Sequence, residues 1–107
     1  LSPEKEFLQA SVNKFEKNFK IHSHFHKKNL RENNKTQESW LVIKGKIIAK
    51  FYDLDNSFVK EIVMGFGDNV ILFNGGHEMT VIEDQTIIYE FKNGPFLGNI
   101  NDKVEIK

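Results

Sequence analysis

The sequence contains no cysteine, which excludes a disulfide framework, a thiolate zinc site and a cysteine nucleophile. It also lacks a charge imbalance. Fifteen Lys and Arg stand against fifteen Asp and Glu, so no net field draws the chain to DNA, RNA or an anionic membrane. No basic stripe with interleaved aromatics appears, and nucleic acid is not an expected partner. No apolar run approaches the roughly 18 residues of a membrane span. No secretory signal is visible, so a cytoplasmic location is the default expectation, although the start at Leu1 leaves open an excised piece of a longer protein. Neither phosphate-binding glycine signature occurs, because Gly65-Phe66-Gly67 lacks the remaining glycine and the helix that should follow. No serine is spaced with a histidine as a nucleophile pair would be.

What is present fits one soluble domain: 107 residues, 39% hydrophobic and 28% charged, with no internal repeat or linker. After residue 36, short segments rich in Val, Ile, Phe and Tyr recur between Gly, Asn and Asp. They predict strands at 37–44, 46–52, 58–64, 69–73, 79–83 and 86–92, the pattern of an antiparallel sandwich or barrel. Gly45 can make a hairpin turn between the first two. Residues 1–19 read differently. Ser2-Pro3 is a good helix start, and Phe7, Leu8, Ser11, Val12 and Phe15 follow a helical spacing, so a short amphipathic helix is expected there. Residues 27–36 read as a polar loop.

Three of the four histidines lie in Ile21-His22-Ser23-His24-Phe25-His26. On a strand, His22, His24 and His26 would share one face at steps of about 7 Å. Neutral imidazoles converging from one face suit a borderline divalent metal; a solvated histidine run is the plainer alternative. Glu38 opens a strongly apolar strand, where a buried acid needs a cation, a hydrogen-bond network or exposure. Finally, Gly75-Gly76 forms a tight bend that delivers His77 at the start of the next strand.

His24-x-His26, Glu38 separated by six residues from Gly45, and Gly67 followed by Gly75-Gly76-His77 together resemble the two signature motifs of the cupin superfamily, over residues 20–95. The resemblance implies an all-β fold, a small antiparallel jelly-roll barrel, with residues 1–107 as a single domain. It also implies a divalent metal ion (Fe, Mn, Ni or Zn) held in the barrel mouth by His24, His26, Glu38 and His77. Triple histidine leaves the register open, since His22 and His24 could be the pair instead. Eleven residues, 27–37, separate His26 from Glu38, where the family usually has three or four, and Phe73 stands where a proline is usual. The tail from Tyr89 to Phe96 is similar to that of small stand-alone cupins, some of which look like accessories to surface-sugar biosynthesis. The expected function is therefore action on, or binding of, a small polar molecule such as a sugar derivative through the metal. A non-catalytic binding or sensing module is the alternative, and a homodimer is the expected assembly.

Overall fold

The computed structural model describes residues 1–95, 98, 100 and 103–106. Six strands follow one another in the chain: β1 (Glu38–Lys44), β2 (Ile47–Tyr52), β3 (Phe58–Met64), β4 (Asn69–Leu72), β5 (Gly76–Val81) and β6 (Ile87–Lys92). They form two three-stranded antiparallel sheets, ordered β4-β1-β6 and β3-β2-β5. The all-β antiparallel expectation is met at that level. The closed barrel is not, because each sheet ends in its own edge strands.

Alternation along the strands builds the core. Trp40 and Val42 from β1 face Ile47 and Ala49 from β2 and Met64 from β3, and all five are buried. Phe51, Ile62, Val70, Leu72, Met79 and Ile88 close around them, so the two sheets pack face to face as a sandwich. Such a layer excludes water from apolar area, the dominant favourable contribution in a fold of this size.

Among the described strands, only β2 and β3 make a hairpin. Every other link carries the chain from one sheet to the other, including the turn at Gly45, which joins β1 of the first sheet to β2 of the second. That corner requires glycine: its φ is +83°, and an added Cβ would lie 2.9 Å from the Thr86 Cα and collide with the threonine hydroxyl. The hairpin expected there is thus a sheet-crossing corner.

The expected N-terminal helix is absent, since none of residues 1–20 is helical. Polar side chains capture the backbone groups that a helix would pair internally. Ser2 Oγ accepts from the Ala10 amide at 2.8 Å, and the Gln9 side-chain amide donates to the Pro3 and Glu6 carbonyls at 2.9 and 2.6 Å. A short isolated helix is marginal in water, so these local bonds win. Residues 11–36 run without helix or strand, and all are exposed. Their extension accounts for a radius of gyration of 16.4 Å, against about 13 Å for a compact chain of this length.

Gln37 ties this segment to the sandwich. It is 1% exposed. Its side-chain oxygen accepts from the Leu8 amide at 2.7 Å, and its side-chain nitrogen donates to Glu6 Oε2 at 2.7 Å and to the Phe73 carbonyl at 3.2 Å. Its own amide donates to Asn93 Oδ1 at 2.7 Å. Truncating Gln37 to alanine strands the Leu8 amide and should cost about 1–3 kcal/mol. Hydrogen exchange is expected to show the Leu8 amide losing protection first.

Candidate functional site

The inward face of the sandwich is apolar at one end and polar at the other. On β1, inward positions run from Val42 through Trp40 to Glu38, and register places Ile88, Glu90 and Lys92 of β6 beside them. On the opposing sheet, Phe51 pairs with His77 and Ala49 with Met79, so His77 continues the inward row of β5. It stands there because the Asn74-Gly75 bend starts β5 one residue before it. Gly75 has φ +92°, and an added Cβ would meet the Tyr52 carbonyl oxygen at 2.7 Å, a position only glycine fills without strain.

Glu38 and His77 meet across the two sheets. His77 Nε2 lies 3.0 Å from Glu38 Oε1, and since a carboxylate only accepts, the imidazole nitrogen donates. The Glu38 side chain is 10% exposed and that of His77 34%, so the acid is seated below the histidine. The Trp40 ring meets His77 edge-on, with centroids 5.2 Å apart. The hydrogen bond from His77 is the main reason the Glu38 carboxyl titrates below its ordinary value. Burial opposes the shift, while the electrostatic pull of His77 and of Lys92 and the Trp40 indole add to it. Among the described residues the Trp40 N–H meets no acceptor at hydrogen-bonding geometry.

A lowered folded-state pKa means that the unfolded chain binds this proton more tightly. The stability contributed by Glu38 is therefore complete above the ordinary value of 4.5 and is lost as pH falls through the lower folded-state value. Thermal melts of the wild type should accordingly fall more steeply with acidification below about pH 5 than those of Glu38→Gln, which has no carboxylate to protonate. Parallel slopes would contradict this assignment.

A cleft of about 660 Å³ opens over the pair, within the usual range for small-molecule sites. Glu38, Trp40 and His77 line it together with Tyr52, Glu90 and Lys92, and residues 103–106 form part of its wall. Ile106 packs where a side chain on Gly76 would project.

Of the four ligands implied by the resemblance, the structure brings Glu38 and His77 together and places His24 and His26 elsewhere. The 3.0 Å between Glu38 Oε1 and His77 Nε2 is the spacing of the hydrogen bond that joins them; an ion at this pair would need Nε2 to give up its proton and the bond to open. His22, His24 and His26 do not line the cleft, and among the described residues no group of three His, Cys, Asp or Glu could hold an ion. Residues 22–26 form no strand, so the shared face that alternation would give the three histidines does not arise. The His24 ring bonds back to the His22 carbonyl at 2.8 Å, occupying a backbone group that a ladder would need.

Lys92 and Glu90 have no distinguishing motif. Strand alternation from Glu38 across the β1–β6 register is the only signal that could have placed them here. Phe96, the end of the tail motif, lies outside the described residues. No helix among the described residues is long and apolar enough to cross a membrane. No protein-family model, no curated protein and no solved structure matches this chain.

Proposed function

We propose that the chain is a cupin-type jelly-roll module that binds a small polar molecule in the cleft between its sheets, with Glu38 and His77 as the recognition pair. The observation that carries this reading is the inward, hydrogen-bonded Glu38–His77 contact at the base of a cleft of about 660 Å³. Sandwich interiors are normally apolar, and a buried acid with a dedicated donor is costly to maintain for packing alone. A polyhydroxylated ligand such as a sugar derivative suits the lining. Its hydroxyls both donate and accept, and the cleft offers carboxylate acceptors at Glu38 and Glu90, a cationic donor at Lys92, and the Tyr52 ring. A divalent metal bound here would have Glu38 and His77 as protein ligands and would supply Lewis-acid polarisation of a ligand oxygen.

The test is ligand-observed NMR with pools of hexoses, hexose phosphates and uronic acids, on the wild type and on Glu38→Ala. Saturation transfer to at least one pool, absent in the variant, is the expected result. Equal transfer in both proteins, or none in the wild type across these pools, would overturn the reading.

A further inference from the structure

We infer that two copies of this chain form a dimer by exchanging residues 11–36, each arm covering the outer face of the β4-β1-β6 sheet of the other copy. That face is apolar, where the exterior of a sandwich is ordinarily polar. Across it Leu41 pairs with Tyr89, while Ser39 has Phe91 on one side and Ile71 on the other. Ile87 precedes them on the same side of β6. Ile87, Tyr89 and Phe91 are 47%, 53% and 57% exposed. The outer face of the other sheet is the contrast, for there Lys50 lies 3.7 Å from Glu61 and 3.9 Å from Glu78.

The arm is the matching surface. Glu6 and Leu8 are bonded to Gln37, so the stretch between them leaves and rejoins the sandwich at one point. Within it the Phe19 amide donates to the Glu16 carbonyl at 3.2 Å and Asn18 takes φ +74°, a turn that stacks the Phe15 and Phe19 rings with centroids 4.7 Å apart. Phe15, Phe19 and Phe25 are 54%, 60% and 101% exposed, an apolar display that marks an interaction surface. Charge points the same way. Residues 11–36 carry seven Lys and Arg against two Asp and Glu, a net of +5, whereas residues 37–95 carry five against nine, a net of −4. The neutral total hides two oppositely charged parts, which attract each other between copies. All of residues 11–36 are exposed, so the arm does not lie on its own sandwich, and both surfaces are open to a second copy. The area suffices. At about 200 Å² for a fully exposed phenylalanine, the three arm rings offer about 430 Å² and the three β6 residues about 300 Å². A two-fold axis doubles both, giving about 1,400–1,500 Å², inside the roughly 1,200–2,000 Å² of a stable interface.

The experiment is sedimentation equilibrium of the full chain, joined to NOE measurements on a mixture of isotope-labelled and unlabelled copies. A dimer that weakens with added salt is expected. Phe19→Ser should weaken it about 100-fold, because each of the two arms loses one buried ring at about tenfold apiece. Phe19 lies outside every strand, so its replacement leaves the sandwich folded. Tyr89→Ser should weaken the dimer to a similar extent from the other side of the contact, and Thr80→Ala, on the outer face of the other sheet, should leave it unchanged. In the mixed sample, NOEs between copies should join the phenylalanine ring protons of the arm to the methyls of Leu41, Ile71 and Ile87. A chain that stays monomeric at millimolar concentration would overturn the inference. So would a dimer indifferent to Phe19→Ser, or arm-to-sheet NOEs confined to one chain, which would mean that each arm folds onto its own sheet.

Discussion

Replacing Ile47 with alanine is expected to destabilise the protein by about 2–5 kcal/mol, the usual cost of emptying a fully buried isoleucine site. The core is small: Trp40, Val42, Ile47, Ala49 and Met64 are its buried apolar residues among those described, and Ile47 is 0% exposed. Ile47 also opens β2, the central strand of its sheet, opposite Met64 on one side and Val81 on the other. It sits two residues after Gly45, where the chain changes sheets, so little backbone is free to collapse into the void. Domains of this size have about 5–15 kcal/mol in total. The loss should therefore lower the melting temperature by about 10 °C or more, at about 4–8 °C per kcal/mol. Val63→Ala supplies the contrast. That residue is on the outer face of β3 and 62% exposed, and its loss should stay within about 0.5 kcal/mol. Circular dichroism melts of the two variants decide the point; equal effects would mean that the sandwich interior is not where the strand alternation places it.

The second large effect concerns binding. Glu38→Ala is expected to weaken capture of a polar ligand by about 30-fold or more, since losing a hydrogen bond to a charged group costs about 2 kcal/mol. The carboxylate is the acceptor for His77, and it has Lys92 directly across the β1–β6 register, so its removal also releases the imidazole that it holds in place. Cost to the fold should be smaller than for Ile47→Ala, because the cleft is open and water can solvate what is left. Glu61→Ala is the control. Glu61 lies on the outer face, 3.7 Å from Lys50, and an exposed pair of this kind contributes little. Binding affinities of the two variants for the same hexose or uronic acid test the difference.

The six strands were legible because each combines β-branched or aromatic residues with Gly, Asn or Asp at its ends. Where the boundary moved, pairing explains it. β5 begins at Gly76 rather than residue 79 because Gly76 and His77 bond to Tyr52 and Phe51, a contact distant in sequence that no local preference reports. A glycine turn was visible at position 45, but whether it folds back or crosses to another sheet depends on Thr86, 41 positions later. The N-terminal helix failed for a related reason: its spacing was right, yet Ser2, Gln9 and Gln37 offered the backbone other partners.

The candidate site was legible through Glu38 and His77, which the motif resemblance selected and which the sandwich brings within 3.0 Å. Strand alternation alone would turn Gln37, next to the inward Glu38, outward. It is instead buried at the strand's start, where the N-terminal loop folds over it and turns a nominally outward position into a hydrogen-bond hub. His24 and His26 show the opposite limit. A period of two identifies side chains that can share a face, but it does not supply the partner strand that would turn that face toward the cleft.

Trp40 is the sole tryptophan, and its indole N–H lies on the inward face beside Glu38, so it contributes one isolated cross-peak that reports on the site. The most direct measurement is therefore a proton–nitrogen correlation spectrum recorded during titration with the sugar derivative that gives the strongest saturation transfer. The account predicts a saturable shift of the Trp40 indole peak, matched by the His77 amide and absent in Glu38→Ala. A Trp40 peak that stays fixed while amides elsewhere move would place binding outside the cleft and contradict the proposed function.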